Sequence, residues 1–102
     1  LPEVGAEKVA VLRELELITL TPAIRVQRSV RSGQGAVVYK VTERVAQDLG
    51  IRIGDVIIQI NRTPVTDAQQ AARVLEYYGG RGPIRMYLER NGPVYSTDFR
   101  IS

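Results

Sequence analysis

Leu49-Gly50-Ile51-Arg52-Ile53-Gly54-Asp55-Val56-Ile57 is the stretch that decides the fold. Two glycines four residues apart let the chain reverse twice in a short distance, and Asp55 between turn and strand is placed to accept hydrogen bonds from turn amides. Val56 to Ile60 is then an apolar run too short for a buried helix and rich in isoleucine and valine, which reads as a central strand.

Working outward, Ala36 to Val41 is a second strand rich in β-branched residues, and Thr42 caps a brief helix whose Val45, Ala46 and Leu49 share a face before Gly50 ends it. Further back, Leu15 to Leu20 is β-prone, and Thr21-Pro22 starts a short helix over Ala23 to Val30. Residues 1 to 14 fit two patterns: Lys8 to Leu12 suits a short strand, while Val4, Lys8, Val11 and Leu15 fall at helical spacing. Downstream, Thr63-Pro64-Val65 is extended, and the longest helix runs from Asp67 to about Tyr78 with Gly79-Gly80 as its stop. Ile84, Met86 and Leu88 alternate with polar neighbours, Asn91-Gly92 supplies a tight turn, and Tyr95, Thr97, Phe99 and Ile101 alternate on the return. The pattern predicts an α+β fold: a partly open β-barrel or sandwich of five to six strands, one main helix and one or two short ones.

The chain has 102 residues, enough for one domain burying roughly 60–70% of its unfolded surface. Its 14 basic and 11 acidic residues leave a net charge of +3, and it contains neither histidine nor cysteine. Disulfides, thiolate catalysis, cysteine zinc sites and the Ser-His-Asp arrangement are therefore excluded. No run of 18 apolar residues is present, so no membrane-inserting segment is expected. A start at Leu1 rather than Met suggests a fragment of a longer protein.

Three features invite a chemical reading. Arg25, Arg28 and Arg31 recur every three residues, as a phosphate-binding stripe would. With only Lys8 and Lys40 among the lysines and no aromatic beside the stripe, a solvated face is the better reading and nucleic acid is not an expected partner. Glu14 and Glu16 point the same way on a strand, yet nothing adjacent splits their pKa values as acid–base catalysis requires, so they read as a surface edge. Of Tyr77 and Tyr78, one ring is expected on the core and the other at the surface. No catalytic residue, metal site or cofactor is indicated.

The order Gly35-Ala36-Val37-Val38, Leu49-Gly50-Ile51, Gly54-Asp55-Val56-Ile57, Ile60-Asn61, Pro64-Val65, a helix, and Arg90-Asn91-Gly92 resembles the bacterial type of PDZ domain. The resemblance covers residues 12 to 102, leaving 1 to 11 as an N-terminal linker or extra element, and Leu20-Thr21-Pro22 is similar to the PDZ domains of HtrA-type serine proteases. It implies a module that takes up an extended or C-terminal peptide segment as an added strand between a sheet edge and the main helix. Carried onto this chain, the edge is Leu15, Glu16, Leu17, Ile18, Thr19 and Leu20, preceded by the terminus-binding loop Leu12, Arg13 and Glu14. The helix contributes Ala68, Ala72 and Leu75, one face of which two positions are alanine.

Glu14 stands where the family's loop has glycine, and a second carboxylate within ~4 Å of a peptide terminus is repelled by roughly 4 kcal/mol at an effective dielectric of 20. Strand addition is thus expected and a strict need for a free C-terminus is not. Asn61-Arg62 replaces the more usual Asn-Gly, which implies a different turn or strain at Arg62. The implied role is the regulatory or substrate-sensing part of a bacterial envelope protease, in the periplasm or cell envelope, with peptide segments and domains of the parent chain as partners. The alternative is a structural docking or oligomerisation module whose groove is degenerate or filled by its own chain, for instance by residues 1 to 11.

Overall fold

Side-chain oxygens start all three helices. Thr21 accepts a hydrogen bond from the Ile24 amide at 3.2 Å, opening α1 (Pro22–Gln27), and Thr42 accepts from Val45 at 3.3 Å, opening α2 (Glu43–Leu49). Asp67 accepts from Gln70 at 2.8 Å and opens α3 (Ala68–Tyr78), while the Gln70 side chain accepts the Thr66 amide at 2.9 Å. Gly50 ends α2 at φ 69°, the left-handed cap its sequence position implied. The first helix stops at Gln27, three residues short of the expected end, because Arg28 and Ser29 leave the helical region and Ser29 turns the chain at φ 55°.

The computed structural model describes residues 1 to 102 and contains seven strands: β1 (Val9–Val11), β2 (Leu15–Thr19), β3 (Ala36–Val41), β4 (Val56–Ile60), β5 (Thr63–Pro64), β6 (Pro83–Glu89) and β7 (Val94–Arg100). All pairings are antiparallel in the order β1-β2-β3-β4-β6-β7, with β5 beside β4. The architecture is the expected α+β one, with seven strands where five to six were expected, the short β1 and β5 among them. The ambiguity of residues 1 to 14 resolves in favour of a strand over Val9–Val11.

Two apolar clusters cover the two faces of the sheet. Leu15, Leu17, Ala36, Val38, Ile57 and Ile60 face α3, whose Ala68, Ala71, Ala72 and Leu75 close the larger core. Ile18, Leu20, Val37 and Val56 face the other way and pack with Ile24 of α1 and with Val30. Because neighbouring residues of β3 and β4 enter opposite clusters, those strands are apolar at consecutive positions. Full burial of residues such as Leu17, Ile57 and Leu75 contributes roughly 1.5–3 kcal/mol each. The Ala68 amide donates to Thr19 Oγ1 at 3.0 Å, which fixes the start of α3 against the end of β2.

Candidate functional site

The cleft between β2 and α3 is built from side chains that the sheet alternation and the helical repeat send to one place. Leu15 and Leu17 of β2 lie in one buried cluster with Ala68, Ala72 and Leu75 of α3. Ile18 and Leu20 turn away from α3 into the second cluster, and Thr19 is engaged with the Ala68 amide. Glu16 is half-buried and lies between Ala10 and Lys40 in register.

The expectation that Leu15 to Leu20 forms a sheet edge does not hold along its first half. β1 lies antiparallel on the outer side of β2 with Val9 opposite Leu17, Ala10 opposite Glu16 and Val11 opposite Leu15. The physical cause is the alternating Val9-Ala10-Val11 sequence together with a reversal at Leu12 (φ 56°) and Arg13 (φ 64°), which folds the arm back as a hairpin. Val11 is only 1% exposed and belongs to the same cluster as Leu15, Ala72 and Leu75. No surface cavity is lined by Ala68, Ala72 or Leu75. The space between β2 and the helix is filled by the chain's own N-terminal strand.

Open space lies instead on either side of the Leu12–Glu14 turn. One depression of about 290 Å³ is bordered by Arg13, Glu14, Glu16, Lys40 and Ile53, and one of about 400 Å³ by Leu12, Arg13, Arg44, Asp48 and Arg100. Glu14 is held by Arg44 of α2, which bonds both carboxylate oxygens, and by the Thr42 hydroxyl at 3.1 Å. The Arg44 hydrogen bond is the main reason its pKa is lowered, and desolvation opposes the shift without reversing it. The counter-ion of Glu14 is therefore Arg44. The left-handed backbone that suits glycine is at Leu12 and Arg13 rather than at Glu14.

The other candidates are absorbed by the fold. Arg25 donates to the carbonyls of Ser32 and Arg31 at 2.9 and 3.1 Å, and Arg28 pairs with Glu3 at 2.7 Å. Since α1 ends before Arg28 and Arg31, the three arginines share no helix face. Tyr78 packs on the core while Tyr77, 60% exposed, meets it edge-on at 5.2 Å. At Asn61 (φ 51°) the side chain accepts the Arg85 amide at 2.8 Å, so the asparagine takes the left-handed position and Arg62 is unstrained. Sequence reasoning missed Val11 and Arg44; the Val9-x-Val11 alternation was the available signal for the first.

An antiparallel sheet with α3 laid against β1 and β2 carries the buried cluster that joins Val11, Leu15, Ala72 and Leu75. The PDZ domain family matches residues 37–90, and the chain belongs to that family. Its fold is similar to that of the HtrA-type protease AlgW with a decapeptide, at 24% identity and a TM-score of 0.69 over 83% of this chain and 26% of that one. It is also similar to the HtrA3 PDZ domain bound to the phage-derived ligand FGRWV, at 20% identity and a TM-score of 0.70 over 94% of this chain and 86% of that one. The chain thus spans about a quarter of the length of the AlgW chain. No curated protein matches it.

Proposed function

We propose that this domain binds extended peptide segments by strand addition along β2, with Leu12 to Leu20 on one side and Ala68, Ala72 and Leu75 on the other, as the regulatory or substrate-sensing part of a bacterial envelope protease. The observation that carries the reading is β1: an extended apolar segment already pairs with Leu15–Leu17 and buries its valine against α3. Val11 has the same side chain as the last residue of the FGRWV ligand bound by the HtrA3 domain. The likeness to AlgW supports the protease setting and a periplasmic or envelope location. Because the chain continues from Val11 into the turn, the segment held at β2 need not end in a free carboxylate.

The test is a titration of the 102-residue chain with dye-labelled FGRWV as free acid and as amide. Saturable binding of both forms within several-fold of one another is the expected result. Binding of neither at millimolar peptide overturns the reading. It would favour the second one, a docking module whose groove is permanently self-occupied, which the lack of a cavity beside Ala72 supports.

A further inference from the structure

We infer that β1 is a displaceable internal occupant of the groove: an incoming extended segment exchanges with Val9–Val11 and thereby frees the whole N-terminal arm. This inference rests on the proposed peptide-binding function and specifies its regulation and the ligand's character.

Three observations converge on it. First, β1 has the geometry of a bound segment, antiparallel to β2, with Val11 buried, Val9 partly buried on the same core, and Ala10 between them exposed. An external segment fitting this track carries β-branched apolar residues two apart, because only alternate side chains of a strand face the core.

Second, β1 is a short strand at the end of the sheet, paired on one side only. It has three residues in register with β2 against seven between β6 and β7. Its hairpin turn holds Leu12 and Arg13 in the left-handed region, which costs free energy for any residue with a Cβ. A short strand held by a strained turn is a candidate for local opening while the rest of the sheet persists.

Third, the arm preceding β1 is fastened to the body at separate points. Glu3 pairs with Arg28 at 2.7 Å, Lys8 Nζ lies 4.9 Å from the Tyr39 ring centre, and Gln69 of α3 donates to Glu7 at 3.2 Å. Removing β1 from the groove pulls on each of these fastenings. Conversely, loosening any of them raises the fraction of open groove, and apparent affinity for a competing segment rises in proportion.

The experiment uses the 102-residue chain and a dye-labelled, acetylated and amidated peptide with the sequence Glu7 to Leu12. Wild type is compared with Glu3→Arg, which repels Arg28, and Arg13→Gly, which relieves the turn. Glu3→Arg is expected to tighten binding by about three- to tenfold and Arg13→Gly to weaken it by about threefold or more. Saturating peptide should also accelerate amide hydrogen exchange at Val9–Val11 and leave β6 and β7 unchanged. Opposite signs in the two variants cannot come from general unfolding. Equal binding by all three forms with Val9–Val11 still protected would overturn the exchange and leave peptide binding standing. Binding by none of them, to this peptide or to FGRWV, would overturn both.

Discussion

Asp55 and Arg90 form a two-point ion pair in which Arg90 Nε lies 2.8 Å from Asp55 Oδ1 and Nη2 lies 2.7 Å from Oδ2. Asp55, whose side chain is 2% exposed, also accepts the Arg52 amide at 2.7 Å, so one carboxylate ties the turn before β4 to the end of β6. Removing Arg90 leaves that charge buried with a single remaining donor. Arg90→Met should lower unfolding free energy by about 3 kcal/mol, the low end for a broken buried pair, because the guanidinium is itself partly exposed. Urea denaturation at neutral pH measures it. A loss below about 1 kcal/mol would mean that water replaces the guanidinium.

Glu89, 4% exposed, gives a pH dependence with a definite sign. Burial pushes its pKa up, but the Ser32 hydroxyl at 2.6 Å and the amides of Arg31 and Ser32 at 2.8 Å each stabilise the carboxylate and bring the net value below the ordinary 4.5. A depressed carboxylate pKa stabilises the fold above the unfolded value, and that stability is lost as pH falls through the folded value. Stability should therefore be flat from pH 7 to 5 and decline below about pH 4.5. Glu89→Gln should cost about 1.5–3 kcal/mol at pH 7 and show a shallower acid decline, read from urea midpoints at a series of pH values.

The glycine expected at Glu14 is wanted one residue earlier. Arg13→Gly should raise stability by about 1 kcal/mol, since glycine carries no Cβ penalty at φ 64°. That corresponds to roughly 4–8 °C in Tm for a domain of this size. Glu14→Gly should lower Tm instead, because it removes the contacts to Arg44 and Thr42 and gains no backbone relief. Thermal scans of the two variants side by side decide it; a higher Tm for Glu14→Gly would reverse the assignment.

Ala72 lies beneath β1 at 5% exposure, so a charge there has no route to water while the arm is in place. Ala72→Glu should cost about 2–3 kcal/mol and expose the amides of Val9–Val11 to rapid exchange, with β3 and β4 still protected. Unchanged protection of β1 would show that the helix face can tilt the carboxylate outward.

Spacing and family resemblance each made part of the site legible. Residues two apart on a strand and three or four apart on a helix share a face, which sets Leu15 with Leu17 and Ala68 with Ala72 and Leu75, while the resemblance to PDZ domains is what faces the two sets toward each other. Ile18 and Leu20 were grouped with them as one strand, and the same alternation sends those two to the opposite cluster. Which element lies beside β2 was not legible. Three residues of alternating valine and alanine carry too little periodicity to choose strand over helix, and Leu12-Arg13 contains none of the glycine or asparagine that marks a hairpin turn.

Local chemistry in the sequence determined the elements themselves: threonine and aspartate at helix starts, Gly50 at a helix end, Asn91-Gly92 at a turn, and β-branched runs in the central strands. It also determined that no histidine or cysteine chemistry operates here. Tertiary structure alone decided the pairs between residues remote in the chain: Arg28 with Glu3, Arg44 with Glu14, Arg90 with Asp55, and Val11 with α3. Charges and apolar side chains select partners by distance after the chain has collapsed, and a linear sequence offers each arginine several acids of equal claim. Val11 packs against α3 because the N-terminal arm, tethered to β2 by the three-residue turn Leu12–Glu14, is the apolar segment nearest to it.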